Sequence, residues 1–438
     1  MPLGTSKNSL VSSSGKKVPG VMAGSGSPYG FPSLASSGDQ FQNWVDAAQS
    51  YVDVVNEMSP SNTFMVESGT TGLTASADSS YRFSGFDIDS SGNAICFPAS
   101  QPRIVRLDTN TNSFDTIDHP TTSFTNVGSG QYWGNGFNTW TESVWCPLNG
   151  YFYGVPDYAR RIVMYNAQLD DFKDFAVPNS GTLALYRRGL YFDGFVYMFL
   201  SNGSVLMKID PEDDSITRTT GLSSVFGNWV VGPDSKFYTI NRTSVRIFDP
   251  SDNTASTIAS GFTATETSIG MTVPVLAANG KFYSIPSRGN SSATDYLVEF
   301  DPATENVNLI DLEGDATATR RVRIPPSTTT FTHGTLLPDG RIAFTCSYNW
   351  QRWNGSSWVN THAPCIFNPY TSRFEIGDYL SSGPAQWGFH RNPVIGAKGN
   401  LFPAPYRIMN SGGRGFNRYF DDVNEEPPPE FFAHAYKT

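Results

Sequence analysis

The sequence is poor in the residues that carry most catalysis and metal binding. Among 438 residues there are only four cysteines and five histidines. Cys96, Cys146, Cys346 and Cys365 lie far apart and never form a C-x-x-C pair, which excludes the usual structural zinc motifs. They are compatible with two bridges or with four buried, reduced thiols, and the second is the expectation. His119, His333, His362, His390 and His434 give no two ligands at metal-binding spacing. Aspartates 210, 213 and 214 read as turn residues rather than calcium ligands. The chain has no Gly-x-Ser-x-Gly, His-Glu-x-x-His or phosphate loop. No catalytic residue, metal or cofactor is therefore assigned, and the expectation is a protein that is not an enzyme.

Charge is sparse too. Charged residues make up 16% of the chain and the net charge is −10, which argues against general binding to nucleic acid or to an acidic membrane. No apolar run approaches the roughly 20 residues of a membrane span. The first residues lack the apolar core of a secretion signal, so none is expected. The sequons at Asn202, Asn241 and Asn290 are accordingly expected to be silent.

What is plentiful is aromatic residues, at 14%, together with 40 glycines and 29 prolines. That balance suits many strands and turns. The stretch 280–312 shows the pattern most clearly. Asn279-Gly280 makes a tight turn, and Phe282, Tyr283 and Ile285 suit a pleated surface. Pro286 ends the strand. A second strand runs from Tyr296 to Phe300, Asp301-Pro302 turns the chain, and Val307 to Ile310 returns. Further copies begin at Gly92, Gly150, Gly194, Ser235, Gly340 and Gly399, the last one degenerate. The Asp or Asn that closes the middle strand recurs at Asp108, Asn166, Asp210, Asp249, Asp301 and Asn368. These anchors stand on average about 50 residues apart, the period of a propeller blade of four strands rather than of a helical solenoid. The expected fold is all-β, a seven-bladed β-propeller, with six and eight blades left open.

Four regions follow. Residues 1–38, rich in Ser, Gly and Pro, read as a flexible assembly arm. Residues 39–60 hold one amphipathic helix, with Phe41 and Trp44 on its apolar stripe, and a linker. Residues 61–411 form the propeller, the run near Phe64 to Val66 completing the last blade and closing the ring. Residues 412–438 are an extended tail that would dock Phe431 and Phe432 on a neighbour.

The repeat, carried by residues such as Gly280, Tyr283, Ile285, Pro286, Phe300, Asp301 and Pro302, resembles Kelch-like and NHL-like propellers. It is similar in particular to propellers of virus and phage virion proteins. The resemblance covers most of residues 80–405 and implies fold strongly and function weakly. Read with the two terminal arms, it implies a virion structural protein, in capsid decoration, tail or vertex, bound to other virion proteins or to copies of itself. Outside a virion the expected location is the cytoplasm. The alternative is a soluble ligand- or glycan-binding propeller, or a lyase or dehydrogenase, with its site at the channel mouth.

Counting seven residues back from each turn places Ser143, Arg187, Asn228, His333 and Asn392 at that mouth, a ring suited to an anion or a small polar ligand. The plainer account is that they satisfy inner-strand backbone and water. Tryptophans on loops can be sugar platforms or interface anchors. The 347–358 insert, with Trp350, Trp353 and Trp358, has no counterpart in other copies and is the best candidate for contact with a partner or a host glycan or receptor.

Overall fold

The computed structural model describes residues 66–68 and most of 81–419. Among the stretches outside the described residues are 1–65, 119–139, 178–185, 376–389 and 420–438; for the strands within 390–419 and at 66–68 only the backbone course is described. The expected arm and helix, with Phe41 and Trp44, and the aromatics Phe431 and Phe432 therefore lie outside the described residues.

Among the described residues the strands form eight sheets, all antiparallel. The first runs Tyr81–Ile88, Asn93–Pro98, Arg103–Asp108 and Ser113–Asp118, with the short strand Arg407–Ile408 added beside Tyr81, and the second Trp140–Cys146, Tyr151–Pro156, Arg161–Asn166 and Asp171–Ala176. The third comprises Tyr186–Phe192, Phe195–Leu200, Val205–Ile209 and Ile216–Thr220. The fourth is Val230–Val231, Phe237–Ile240, Ser244–Asp249 and Thr254–Ser260, and the fifth Val275–Leu276, Phe282–Ser284, Tyr296–Asp301 and Asn306–Asp311. The sixth is Phe331–Leu336, Ile342–Cys346, Cys365–Asn368 and Arg373–Glu375. In each, consecutive strands are neighbours, the meander expected of a propeller blade. The last blade-like sheet is assembled from both ends of the described chain: His390–Ile395, Leu401–Pro405, Asn417–Tyr419 and, outermost, Val66–Ser68. The strand expected near Phe64 thus begins at Val66, and the stretch expected to be a tail from 412 contributes a strand at 417–419. The innermost strands of the first and last sheets lie against each other, closing the ring. The fold is a β-propeller.

The repeating Asp or Asn has a local cause. Its side-chain Oδ1 accepts the amide two residues on, at 2.9–3.0 Å, in all six anchors from Asp108 to Asn368. This Asx turn replaces a missing ladder bond where the outer hairpin reverses. Four residues after the last five anchors the chain enters the left-handed region, at Asp170, Asp214, Asn253, Glu305 and Ser372, with φ between 50 and 59°. That combination tightens the hairpin into the register seen, Asp301 opposite Asn306 and Asn166 opposite Asp171.

The core lies between sheets. Fully buried Ile95, Phe97, Trp140 and Phe152 join the first and second, and Val144, Tyr153, Met198 and Met207 the second and third. Phe199, Trp229, Phe237 and Phe248 join the third and fourth, with Trp229 stacked on Phe199 at 5.6 Å between ring centroids. The eighth sheet is separate. The insert in the sixth repeat folds into the hairpin Trp350–Trp353 and Trp358–Thr361, which pairs with Val322–Arg323 instead of lengthening the blade.

Candidate functional site

Innermost strands line the central channel of a propeller, and here they share a device. The register slips between Trp140 and Glu142, between Tyr186 and Arg188, and between Phe331 and His333. A bulge adds a residue to one strand and re-aims the side chain that follows. The three residues that follow the bulges are Glu142, Arg188 and His333, and the structure brings them together.

Glu142 is the hub. Its Oε1 accepts a hydrogen bond from Arg188 Nη1 in an ion pair whose side chains are 1% and 6% exposed. Its Oε2 accepts the backbone amide of Gly189 at 2.9 Å. Nε2 of His333, on the sixth sheet, lies 3.6 Å from the same Oε1. The second and sixth sheets are not neighbours, so in a closed ring this approach crosses the channel. Arg188 Nε donates onward to the carbonyl of Trp229 at 3.3 Å, tying the third sheet to the fourth.

Other inner-strand polar groups make similar ties. Asp87, 2% exposed, accepts the amide of Ile88 at 2.7 Å with one oxygen and the amide of Trp145 on the second sheet with the other. Asn228 Nδ2 donates to the carbonyl of Met271 at 2.7 Å, between fourth and fifth sheets. Thr141 Oγ1 donates to the carbonyl of Tyr186 at 3.2 Å. Burying such groups is tolerated because each meets a partner.

The five residues reached by counting fare differently. His333 lies at the cluster, and Asn228 serves the inter-sheet bond just described. Ser143 is fully buried, one position past Glu142. Arg187 is the extra residue of its bulge, one before Arg188; its side chain and that of Asn392 are outside the described ones. Of the two arginines, Arg188 is the one whose described side chain reaches Glu142. Counting and clustering differ by one residue at Glu142 and Arg188 because the first hairpins differ in length. The turn after Cys146 takes four residues and that after Phe192 only two, so a fixed step falls one short of Glu142 in the second sheet and goes one past Arg188 in the third. Glu142 lies outside the set that counting reaches. Its signal is a lone carboxylate inside the otherwise uncharged strand Trp140–Cys146.

The tryptophans also divide. Trp350 is fully buried, 6.3 Å from Phe331 between ring centroids, and so is a core residue rather than an interface anchor. Trp353 and Trp358 pair across the hairpin and are part-exposed, their rings 5.5 Å apart and at 65°. The four cysteines are free and buried. Burial pushes the Cys146 thiol up to about 11 and the Cys346 thiol to about 12. Neither is poised as a nucleophile near neutrality. Among the described residues no group of three or more His, Cys, Asp or Glu could hold a metal ion, and no helix is long and apolar enough to cross a membrane.

No family pattern and no curated protein sequence matches the chain. Solved structures do. A streptogramin B lyase aligns with TM-score 0.52 at 12% identity, over 82% of this chain and 97% of that one. A catalytically inactive virginiamycin B lyase from Staphylococcus aureus with quinupristin gives 0.53 at 10% identity, over 81% and 99%. The extracellular domain of the hybrid two component system BT3049 from B. thetaiotaomicron gives 0.52 at 13% identity, over 83% of this chain and 42% of that one. These proteins differ in role, and at such identities the likeness shows the propeller fold alone.

Proposed function

We propose that this chain is a non-enzymatic structural protein of a virus or phage particle, in which a seven-bladed propeller, one blade per meander, serves as a rigid docking and display body. The observation that carries the non-enzymatic part is the state of the channel charges. Glu142 and Arg188 are buried almost completely and engage each other, a neighbouring backbone and His333. Groups committed in this way brace sheets against one another and leave little capacity to gain or lose bonds to a substrate. The virion part is supported by the repeat's resemblance to virion propellers. Residues 1–38 and the segment beyond Tyr419 would bind neighbouring subunits, either other virion proteins or copies of this chain.

Mass spectrometry of purified particles tests the assignment directly; absence of the chain from particles made by its source overturns it. Deleting residues 1–38 should leave a folded propeller, because every described blade is built from residues 66–419, while abolishing incorporation. Incorporation at full occupancy would show that the arm is not the tether.

One observation favours a second reading, a ligand site at the channel mouth. His333 keeps 18% of its side chain exposed beside a carboxylate. Turnover or binding of a small ligand that disappears in His333→Ala and Arg188→Ala, with assembly intact, would establish that reading and displace the first.

A further inference from the structure

The small sheet built from the insert has two unlike faces. Alternation puts Val322, Ile324 and Trp350 inward, and all three are buried in the core shared by the fifth and sixth sheets. The opposite face carries Arg321, Arg323, Gln351, Trp353, Trp358 and Asn360, brought side by side by the pairing of Arg323 with Gln351, Trp353 with Trp358 and Gln351 with Asn360. Every one of these six is part-exposed or exposed. Such a face is not needed to close a blade.

Its chemistry is specific. The guanidinium of Arg323 lies 4.1 Å from the Trp358 ring centroid, and that of Arg321 lies 5.3 Å from the same ring and 5.7 Å from Trp353. Glu313 holds Arg323 in a two-point pair at 2.7 and 2.9 Å, and its other link is to Arg321. Two cations against one carboxylate leave this face locally positive on a chain whose net charge is −10. Gln351 Nε2 donates to Asn360 Oδ1 at 3.1 Å, which aligns two amides whose remaining donors and acceptors face solvent.

We propose that this face binds an acidic saccharide. Indole rings offer a flat apolar surface to the C–H face of a sugar, and the paired amides match vicinal hydroxyls. Glu313 takes up Nε and Nη2 of both arginines, and the Nη1 groups beside the rings are left as charged donors to a carboxylate or sulfate. Charge complementarity favours an acidic sugar over a neutral one, because the ring surface alone does not distinguish them. The site supplies a ligand class for the display body proposed above. It rests on that reading only for its biological setting, since binding by the purified protein is measured apart from incorporation into particles.

The test is tryptophan fluorescence and calorimetric titration of the full chain with 3′-sialyllactose, a sulfated heparin tetrasaccharide and lactose. At least one acidic probe should bind with Kd at or below about 1 mM, and lactose at least tenfold more weakly. The two acidic probes distinguish a carboxylate from a sulfate as the recognised group. Trp358→Ala should weaken acidic binding at least tenfold, and Arg323→Gln should remove the preference over lactose. Gln351→Ala, which leaves the rings in place, gives a second reading if Trp358→Ala does not fold. No binding of either acidic probe, equal binding of lactose, or binding unchanged in these variants overturns the proposal. So does capture of a protein partner on this face without saccharide binding.

Discussion

Glu142 Oε1 and His333 Nε2 stand 3.6 Å apart although they belong to non-adjacent sheets, and the same oxygen takes the Arg188 guanidinium. A contact of this kind depends on the ring being closed, because only closure sets the sixth sheet opposite the second. One buried carboxylate thus ties three groups together across the channel, beside the ties made by Asp87, Thr141 and Asn228.

That arrangement makes a sharp stability prediction. Glu142→Leu leaves the Arg188 charge buried without its carboxylate, a loss worth about 3–5 kcal/mol. The double variant Glu142→Leu with Arg188→Met removes both charges and should recover most of it. Urea unfolding measures both. A double variant as unstable as the single would mean that the charges are not each other's main support.

Some of this fold and site is legible in the sequence, and some is not. Asp301 and its equivalents are legible because an Asx turn needs one residue type at one position. The channel residues are less so. Their position depends on a bulge and on turn length, neither of which leaves a fixed residue, so Arg187 and Arg188 are indistinguishable by counting. Trp350 and Trp353 differ for a simpler reason: an odd offset of three puts them on opposite faces of one strand. That much could be read from the sequence. Which face meets the core could not, since it depends on Phe331 and Val322 arriving from elsewhere.

The outer hairpins carry a second prediction. Asp301→Ala removes the acceptor for the Ala303 amide and should cost about 1 kcal/mol, the scale of a lost single side-chain hydrogen bond. Glu305→Gly, at φ 56°, relieves the left-handed conformation and should be neutral or stabilising by up to about 1 kcal/mol. Glu305→Val should destabilise, because a β-branched residue fits that region poorly. Thermal melts of the three variants rank them. A destabilised Glu305→Gly would show that the carboxylate, not the backbone, decides the position.

Packing between the second and third sheets yields a third. A Cβ on Gly189 would collide with the γ-methyls of Val144 and Val155. Gly189→Ala should therefore push the sheets apart at the residue whose amide binds Glu142, costing about 1–3 kcal/mol. Combining it with Val144→Ala should restore part of the loss. If the second change adds its own full penalty instead, the collision is absorbed elsewhere.

The thiols give the last prediction, and its sign can be worked out. Burial holds the Cys146 thiol at about 11 and that of Cys346 at about 12, and pushes that of Cys365 well above its ordinary value. An unfolded thiol ionises near 8.5. As pH rises past that value the unfolded chain releases protons while the folded chain keeps them, so the equilibrium tilts toward unfolding. The stability is fully present below about 8.5 and is lost as pH climbs through the folded values. The urea midpoint should accordingly fall between pH 8 and pH 10, and less so in Cys346→Ala when compared with its own value at pH 8. At pH 8 a thiol reagent should leave the folded protein unlabelled and react with all four cysteines in denaturant, because each is buried and free. Rapid labelling of the folded chain would contradict their burial; four silent thiols in denaturant would contradict their reduced state.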